Sequence, residues 1–280
     1  MRVSLGVGLG DLSVPSGLDI SKFNTTPTKT YDYSGDGTSR LREGSFKPDG
    51  TKLIAINQSN DKIFEYSMST AWDISTLSKV REVDISSIEG NPQAMHVSYD
   101  GNKIYFSGFI GDTIRQYTID NWSLSTFTSD GKTYQPVGSN NFIAFTMNKA
   151  VDRLFMVNAN ILPLGQVFSQ FNFSTPGDIS TGSDPSKSFD FSATPCEGPG
   201  PAWLSDNGKE YVVSGLTPDN LYQFEFVTAG DISTLIDKGK VFDYSTDTGE
   251  THISGCFVTP DYSKIILIGG TTTFIYQFER

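Results

Sequence analysis

Three short motifs recur along this chain in a fixed order, and one copy stands out of phase. The first motif is a turn, a basic residue and an apolar run. It appears as Pro48-Asp49-Gly50-Thr51-Lys52-Leu53-Ile54, Tyr99-Asp100-Gly101-Asn102-Lys103-Ile104-Tyr105, Asp206-Asn207-Gly208-Lys209-Glu210-Tyr211 and Pro260-Asp261-Tyr262-Ser263-Lys264-Ile265-Ile266. A worn copy is Val151-Asp152-Arg153-Leu154-Phe155. The basic residues at 52, 103, 153, 209 and 264 are spaced by 51, 50, 56 and 55. Asp-Gly between apolar runs marks a hairpin, because glycine accepts the positive φ of a tight turn. The second motif is apolar-x-Glu/Gln-aromatic, as in Ile63-Phe64-Glu65-Tyr66, Ile114-Arg115-Gln116-Tyr117, Phe168-Ser169-Gln170-Phe171, Leu221-Tyr222-Gln223-Phe224 and Ile275-Tyr276-Gln277-Phe278. The third is Asp-Ile-Ser before a short strand. Asp73, Asp178 and Asp231 each open a copy, leading to Val83-Asp84, Phe189-Asp190 and Phe242-Asp243, and Ser123-Leu124-Ser125 is a worn one.

The fifth copy of the third motif, Asp19-Ile20-Ser21 leading to Tyr31-Asp32-Tyr33-Ser34, precedes any first or second motif, whereas Arg280 directly follows a second motif that lacks its third. A linear stack has no use for this cut, but a ring does, because the divided unit bridges the two ends. Units of about 50 residues with four short strands, closed radially, define a propeller. The sequence therefore predicts an all-β, five-bladed β-propeller over 12–280, with four antiparallel strands per blade and the last blade completed by the N-terminal strand. For blade 1 the expected strands are near 44–47, 52–57, 62–67 and 79–86. The aspartates at 32, 84, 190 and 243 fall on the outermost strand, where a charge discourages pairing with other molecules.

Composition narrows the partners. The net charge is −11, from 21 basic and 32 acidic residues, and no run of Lys or Arg offers the clustered cations that phosphate backbones or anionic lipid surfaces require. This argues against nucleic acid and against membrane insertion. No apolar run approaches the roughly 18 residues of a membrane span, and Met1-Arg2-Val3-Ser4-Leu5-Gly6-Val7 makes a poor signal peptide. Cys196 and Cys256 lack metal-binding spacing and leave open a disulfide or two buried thiols.

One face of the ring carries the Asp-Gly turns and Asp-Ile-Ser loops. The other carries the loops that differ most between units, and function concentrates on variable loops held by a rigid scaffold. The candidate binding residues there are Arg40, Arg42, Glu43, Glu89, Asn91, Gln93, Asn140, Asn141, Glu197, Glu250 and His252. Glu43, Glu89, Glu197 and Glu250 are also candidates for a glycosidase carboxylate pair converging at the channel mouth; the expectation is that they are not catalytic. Asp32-x-Ser34-x-Asp36-Gly37 followed by Glu43 has the spacing of a calcium loop, although strands rather than helices are predicted around it. No other cofactor is expected. His96 is expected to line the channel, His252 to sit in a loop, and Trp72 and Trp122 to pack the Asp-Ile-Ser loops.

The string Glu65-Tyr66-Ser67-Met68-Ser69-Thr70-Ala71-Trp72-Asp73-Ile74-Ser75-Thr76-Leu77, with the Pro48-Asp49-Gly50-Thr51-Lys52-Leu53 turn, resembles the β-propeller repeats of tailed-bacteriophage virion proteins, notably of marine phages. The resemblance covers all five units. It implies a non-enzymatic virion structural protein, a capsid or tail decoration that binds a host-surface glycan or protein; the alternatives are a lectin-like propeller and a glycoside hydrolase. The Gly-rich apolar arm at 1–11 falls outside the repeat and is the expected contact with other virion proteins.

Overall fold

The computed structural model describes residues 17–111, 113–136, 142–158 and 167–280. The arm at 1–11 and the candidates Asn140 and Asn141 lie outside the described residues. Five four-stranded antiparallel sheets make up the fold. The N-terminal strand β1 (Lys29–Asp32) is followed by blade 1, with β2 (Leu41–Phe46), β3 (Lys52–Asn57), β4 (Lys62–Met68) and β5 (Leu77–Asp84). Blade 2 holds β6 (Pro92–Val97), β7 (Lys103–Gly108), β8 (Ile114–Thr118) and β9 (Thr128–Tyr134), and blade 3 holds β10 (Phe142–Met147), β11 (Arg153–Asn158), β12 (Val167–Asn172) and β13 (Lys187–Asp190). Blade 4 runs through β14 (Ala202–Leu204), β15 (Glu210–Ser214), β16 (Asn220–Phe226) and β17 (Leu235–Asp243). Blade 5 has β18 (Ile253–Val258), β19 (Lys264–Gly269) and β20 (Phe274–Glu279), and its fourth strand is β1, paired with β20 from Lys29↔Gln277 to Asp32↔Phe274. The chain is a five-bladed β-propeller with its last blade shared between the two ends. No helix among the described residues is long and apolar enough to cross a membrane.

The inner and outer strands of blade 1 differ from expectation in their bounds. The inner strand reaches back to Leu41 through a bulge between Leu41 and Gly44. The outer strand begins at Leu77, directly after a short 3-10 turn, and stops at Asp84. Asp84 stops it because its Oδ1 accepts the Ser86 N–H (2.9 Å). Asp32, Asp190 and Asp243 do the same for Ser34, Ser192 and Ser245. These aspartates therefore cap turns as well as marking the edge.

The second strands β3, β7 and β19 are buried along nearly their whole length. Both of their faces are covered, so their sequences read as continuous apolar runs rather than as alternation. The apolar core is divided accordingly into five clusters, each lying between two adjacent blades. At the Asp-Gly turns the indoles of Trp72 and Trp122 lie flat on Gly50 and Gly101. A Cβ on Gly101 would sit 1.9 Å from Trp122 Cδ1, and φ is +72°. The tryptophans are thus packing residues.

The second and third motifs work together at the seams between blades. Gln277 Oε1 of blade 5 accepts the Ile74 N–H of blade 1 (3.2 Å). Glu65 of blade 1 takes Leu124 N (2.9 Å), Gln116 takes Ile179 N (3.2 Å), Gln170 takes Ile232 N (3.0 Å) and Gln223 takes Ile20 N (3.1 Å). Every seam carries one such bond, in the same direction around the ring. Each satisfies a buried backbone N–H, which left unpaired costs about 1–3 kcal/mol. Four seams add an ion pair from the outer strand of one blade to the Asp of the next Asp-Ile-Ser turn: Lys29–Asp73, Lys132–Asp178, Lys187–Asp231 and Lys240–Asp19. The blade 1 to blade 2 seam has Ser123 in place of that Asp, and there Lys52 pairs with Glu65 at 2.8 Å.

Candidate functional site around the axial channel

The inner strands supply one side chain each at equivalent register positions: Ser45, His96, Thr146, Trp203 and Phe257, facing Ile54, Tyr105, Phe155, Val212 and Ile266 across the sheet. All five line an axial cavity of about 110 Å³. Its mouth is formed by Pro48, Tyr99, Lys149, Asp206 and Pro260, which belong to the turns between the first and second strands. The cavity therefore opens on the Asp-Gly face, whereas the sequence placed any site on the variable face. At the rim Lys149 Nζ lies 3.5 Å from the Tyr99 ring centroid and 3.4 Å from Asp206, tying blades 2, 3 and 4 together.

Below that rim, burial favours the neutral forms of the titratable groups in the wall. His96 is pushed down to about 4 and stays neutral at pH 7. Glu43, a channel residue within β2 rather than a loop residue, is pushed well above the usual carboxylate range by desolvation; the Met95 N–H, 3.0 Å from its Oε2, opposes this. The folded state thus binds a proton at Glu43 that the unfolded chain releases above its ordinary pKa, so this residue lowers stability as pH rises from that value toward the folded one. Glu43→Gln keeps an acceptor for Met95 and removes the titration. Its Tm should match that of the parent near pH 4 and exceed it at pH 8. Equal Tm differences at both pH values in scanning calorimetry would refute the assignment.

The carboxylates of Glu89 and Glu250 are each engaged within their own blade. Glu89 is buried, with Oε1 accepting the Ile110 N–H (2.8 Å) and Oε2 pairing with Arg115 (3.0 Å). Glu250, its equivalent in blade 5, accepts the N–H groups of Gly270, Thr271 and Thr272 at 3.2, 3.0 and 3.2 Å. It also accepts both threonine hydroxyls and lies 3.4 Å from the Tyr276 hydroxyl. Each carboxylate braces its own blade's loop between the second and third strands. The glycines at those loops leave room for it: a Cβ on Gly269 would fall 2.2 Å from Glu250 Oε1. Glu197 is exposed, and its carbonyl accepts the Leu216 N–H.

The calcium-like spacing also dissolves. Among the described residues no three His, Cys, Asp or Glu side chains come together in a way that could hold a metal ion. Asp32 caps Ser34 and accepts the Thr273 hydroxyl (2.9 Å), Asp36 accepts the Tyr31 hydroxyl (2.9 Å), and Glu43 faces Met95. Asp32, Ser34, Asp36 and Glu43 are dispersed because the strand geometry carries Glu43 into the channel wall. Both cysteines are free thiols, Cys196 raised to about 12 by burial.

On the variable face, Asn91 Oδ1 accepts from the amides of Gln58 and Gln93, the latter at 2.7 Å. Arg40 and Arg42 are half-buried, and the buried Nε of each has no hydrogen-bond partner. Neither forms an ion pair among the described residues. Burial and the neighbouring Arg40 push Arg42 down to about 10. His252 is lowered by burial and by the charges of Arg42 and Arg40; Glu250 and Asp219 oppose that shift.

Sequence reasoning placed His96 in the channel, but missed the other four members of the ring and the latch role of the motif-two Gln and Glu residues. The ring has a sequence signal, since Ser45, His96, Thr146 and Phe257 each precede the motif-one basic residue by seven positions, and Trp203 by six. The latches have none, because their partners lie in another blade.

No protein-family model and no curated protein matches the chain. Solved structures do resemble it. A "putative 6-phosphogluconolactonase" of Bacteroides fragilis NCTC 9343 aligns with TM-score 0.50 and 16% identity over 83% of this chain and 64% of its own length. One of Bacteroides uniformis ATCC 8492, with the same description, aligns at 0.51 and 14% over 85% and 65%. A functionally unknown protein from Desulfotomaculum acetoxidans DSM 771 aligns at 0.50 and 9% over 82% and 79%. The chain spans less than two thirds of the length of the two Bacteroides proteins. At these identities the likeness is one of fold: this chain shares the propeller architecture.

Proposed function

We propose that the chain is a non-enzymatic recognition propeller of a tailed-phage particle, a capsid or tail decoration that adheres through its variable face to a host-surface glycan or protein. The observation that carries the non-enzymatic part is the use of Glu89 and Glu250 as braces of their own loops; a hydrolytic pair needs two carboxylates facing one bond. The particle assignment is supported by the repeat, whose resemblance covers all five units, and by the latched ring, which suits display of many rigid copies acting through multivalency. The arm at 1–11 is the contact with other virion proteins. A lectin-like reading is favoured by one further feature: Gln58 Oε1 and Gln93 Oε1 are buried acceptors without partners, the kind of group that takes a sugar hydroxyl.

Mass spectrometry of purified particles from the phage encoding this chain should detect it, and particles assembled with an arm-deleted chain should lack it. Failure to find it in particles overturns the virion reading. Turnover of any chromogenic glycoside or lactone by the purified full chain overturns the non-enzymatic one.

A further inference from the structure

The arginine pair on the variable face is hard to explain as structure. A half-buried guanidinium in a protein interior is normally matched to a carboxylate or to carbonyl oxygens, because an unmatched cation forfeits its hydration. This chain carries eleven more acidic than basic groups. Nevertheless, Arg40 and Arg42, two residues apart in the chain, both keep Nε buried and unpaired. The nearby Glu250 is fully engaged by its own loop, and Asp219 Oδ1 is itself without a partner. Burial and the charge of Arg40 both disfavour the Arg42 cation, so it lowers stability unless an anion lies beside it.

The backbone aims these groups on purpose. Arg42 and Glu43 occupy the bulge of β2, the place where one strand presents an extra residue and redirects its side chain. The neighbouring inner strands bulge at the same level, presenting Gln93 in blade 2 and Ser254 in blade 5. Gln93 Oε1 and Ser254 Oγ are likewise buried without partners. Three adjacent blades thus leave a cation, an amide acceptor and a hydroxyl unsatisfied at one level of the ring. His252, just before the inner strand of blade 5, adds a ring held against Gly270.

We infer that Arg40 and Arg42 form an oxyanion-binding site at the variable-face end of the channel, taking the carboxylate or phosphate of an acidic sugar whose hydroxyls meet Gln93 and Ser254. A guanidinium holds such a group with two parallel N–H bonds. This inference rests on the recognition reading above and names the class of its ligand: uronic or sialic acids and phosphorylated sugars are the sources of one shared chemistry.

Isothermal titration of the full chain with glucuronate, N-acetylneuraminate, glucose 6-phosphate, inorganic phosphate and glucose tests it. At least one acidic sugar should bind more tightly than both glucose and inorganic phosphate, and binding should weaken with added salt. Whether the carboxylate or the phosphate arm binds identifies the source. Arg42→Gln, and separately Arg40→Gln, should weaken that binding at least tenfold while leaving the ligand-free Tm equal to or above that of the parent, because a like-charge contact has been removed. Lys149→Gln, on the opposite face, should bind as the parent does. Binding of glucose as tight as that of the acids, retention of affinity in both arginine variants, or failure of every acidic probe overturns the inference. A lowered Tm in both variants overturns it too, since the arginines would then be structural. The recognition reading fails separately, by turnover or by absence from particles.

Discussion

Deletion of residues 1–32 should abolish cooperative unfolding and leave a chain that binds hydrophobic dyes, whereas deletion of 1–11 alone should leave the melting transition intact. The longer deletion removes β1 and the turn at Ile20–Lys22, and with them the buried side chains of Leu18, Ile20 and Phe23. At about 1.5–3 kcal/mol for each such side chain, the loss approaches the whole net stability of a domain, about 5–15 kcal/mol. It also strips the blade 4 to blade 5 seam, where Gln223 holds both Ile20 N (3.1 Å) and Leu18 O (2.7 Å) and Lys240 meets Asp19. A circular permutant separates closure from chain order. In blades 1 and 4 five residues lie between Met68 and Ile74 and between Phe226 and Ile232. Joining Arg280 to Gly17 through two added residues reproduces that spacing before Ile20. Opening such a chain at Gly37 should give a folded ring of lower stability, because blade 5 becomes continuous while the divided blade no longer ties the ends together. Circular dichroism and calorimetry of the two proteins check this, and a permutant as unfolded as the deletion would show that the order of the strands matters more than their presence.

Glu250→Ala should lower stability by about 3 kcal/mol or more, among the largest effects of any single substitution in the ring. Three loop N–H groups and two hydroxyls converge on that carboxylate in a buried site. Removing an acceptor strands each of its donors, at about 1–3 kcal/mol apiece before relaxation, and the loop from Gly269 to Phe274 loses its brace. Glu250→Gln should lie in between, because its amide presents one oxygen where two were used and turns an NH2 toward donors. Chemical denaturation gives the ranking directly. A fully stable Glu250→Ala protein would mean that the carboxylate is not a brace and would return it to the pool of binding candidates. The same substitution is a poor probe of catalysis, since any activity lost would follow the collapse of the loop.

The sequence showed where the ring closes but not how neighbouring blades recognise one another. Gln277 and Ile74 sit 203 positions apart, as do Gln223 and Ile20. The Gln and Ile of these pairs were visible as separate motifs, and nothing local linked them. Among the glutamates, Glu89 and Glu250 looked like loop acids available to a ligand, yet their oxygen atoms are taken by backbone N–H groups about twenty residues downstream and, for Glu89, by Arg115 as well. Glu43 stood at the end of a predicted loop, and an inner strand lengthened by a bulge drew it into the channel wall.

By itself, the sequence determined the number of blades, the divided fifth blade and the residues at each turn. These depend on interactions that repeat within a unit: glycine at positive φ, an Asp side chain capping the residue two ahead, and apolar runs long enough for a strand covered on both faces. Only the tertiary structure decided which polar atoms are satisfied. It sealed the seams with Gln and Glu latches, drew Glu43 into the channel wall, scattered the calcium-like aspartates and left the buried Nε groups of Arg40 and Arg42 unpaired. The reason is physical: a hydrogen bond or ion pair between blades depends on the angle and register at which five sheets close. That geometry belongs to the ring as a whole and is encoded in no single repeat.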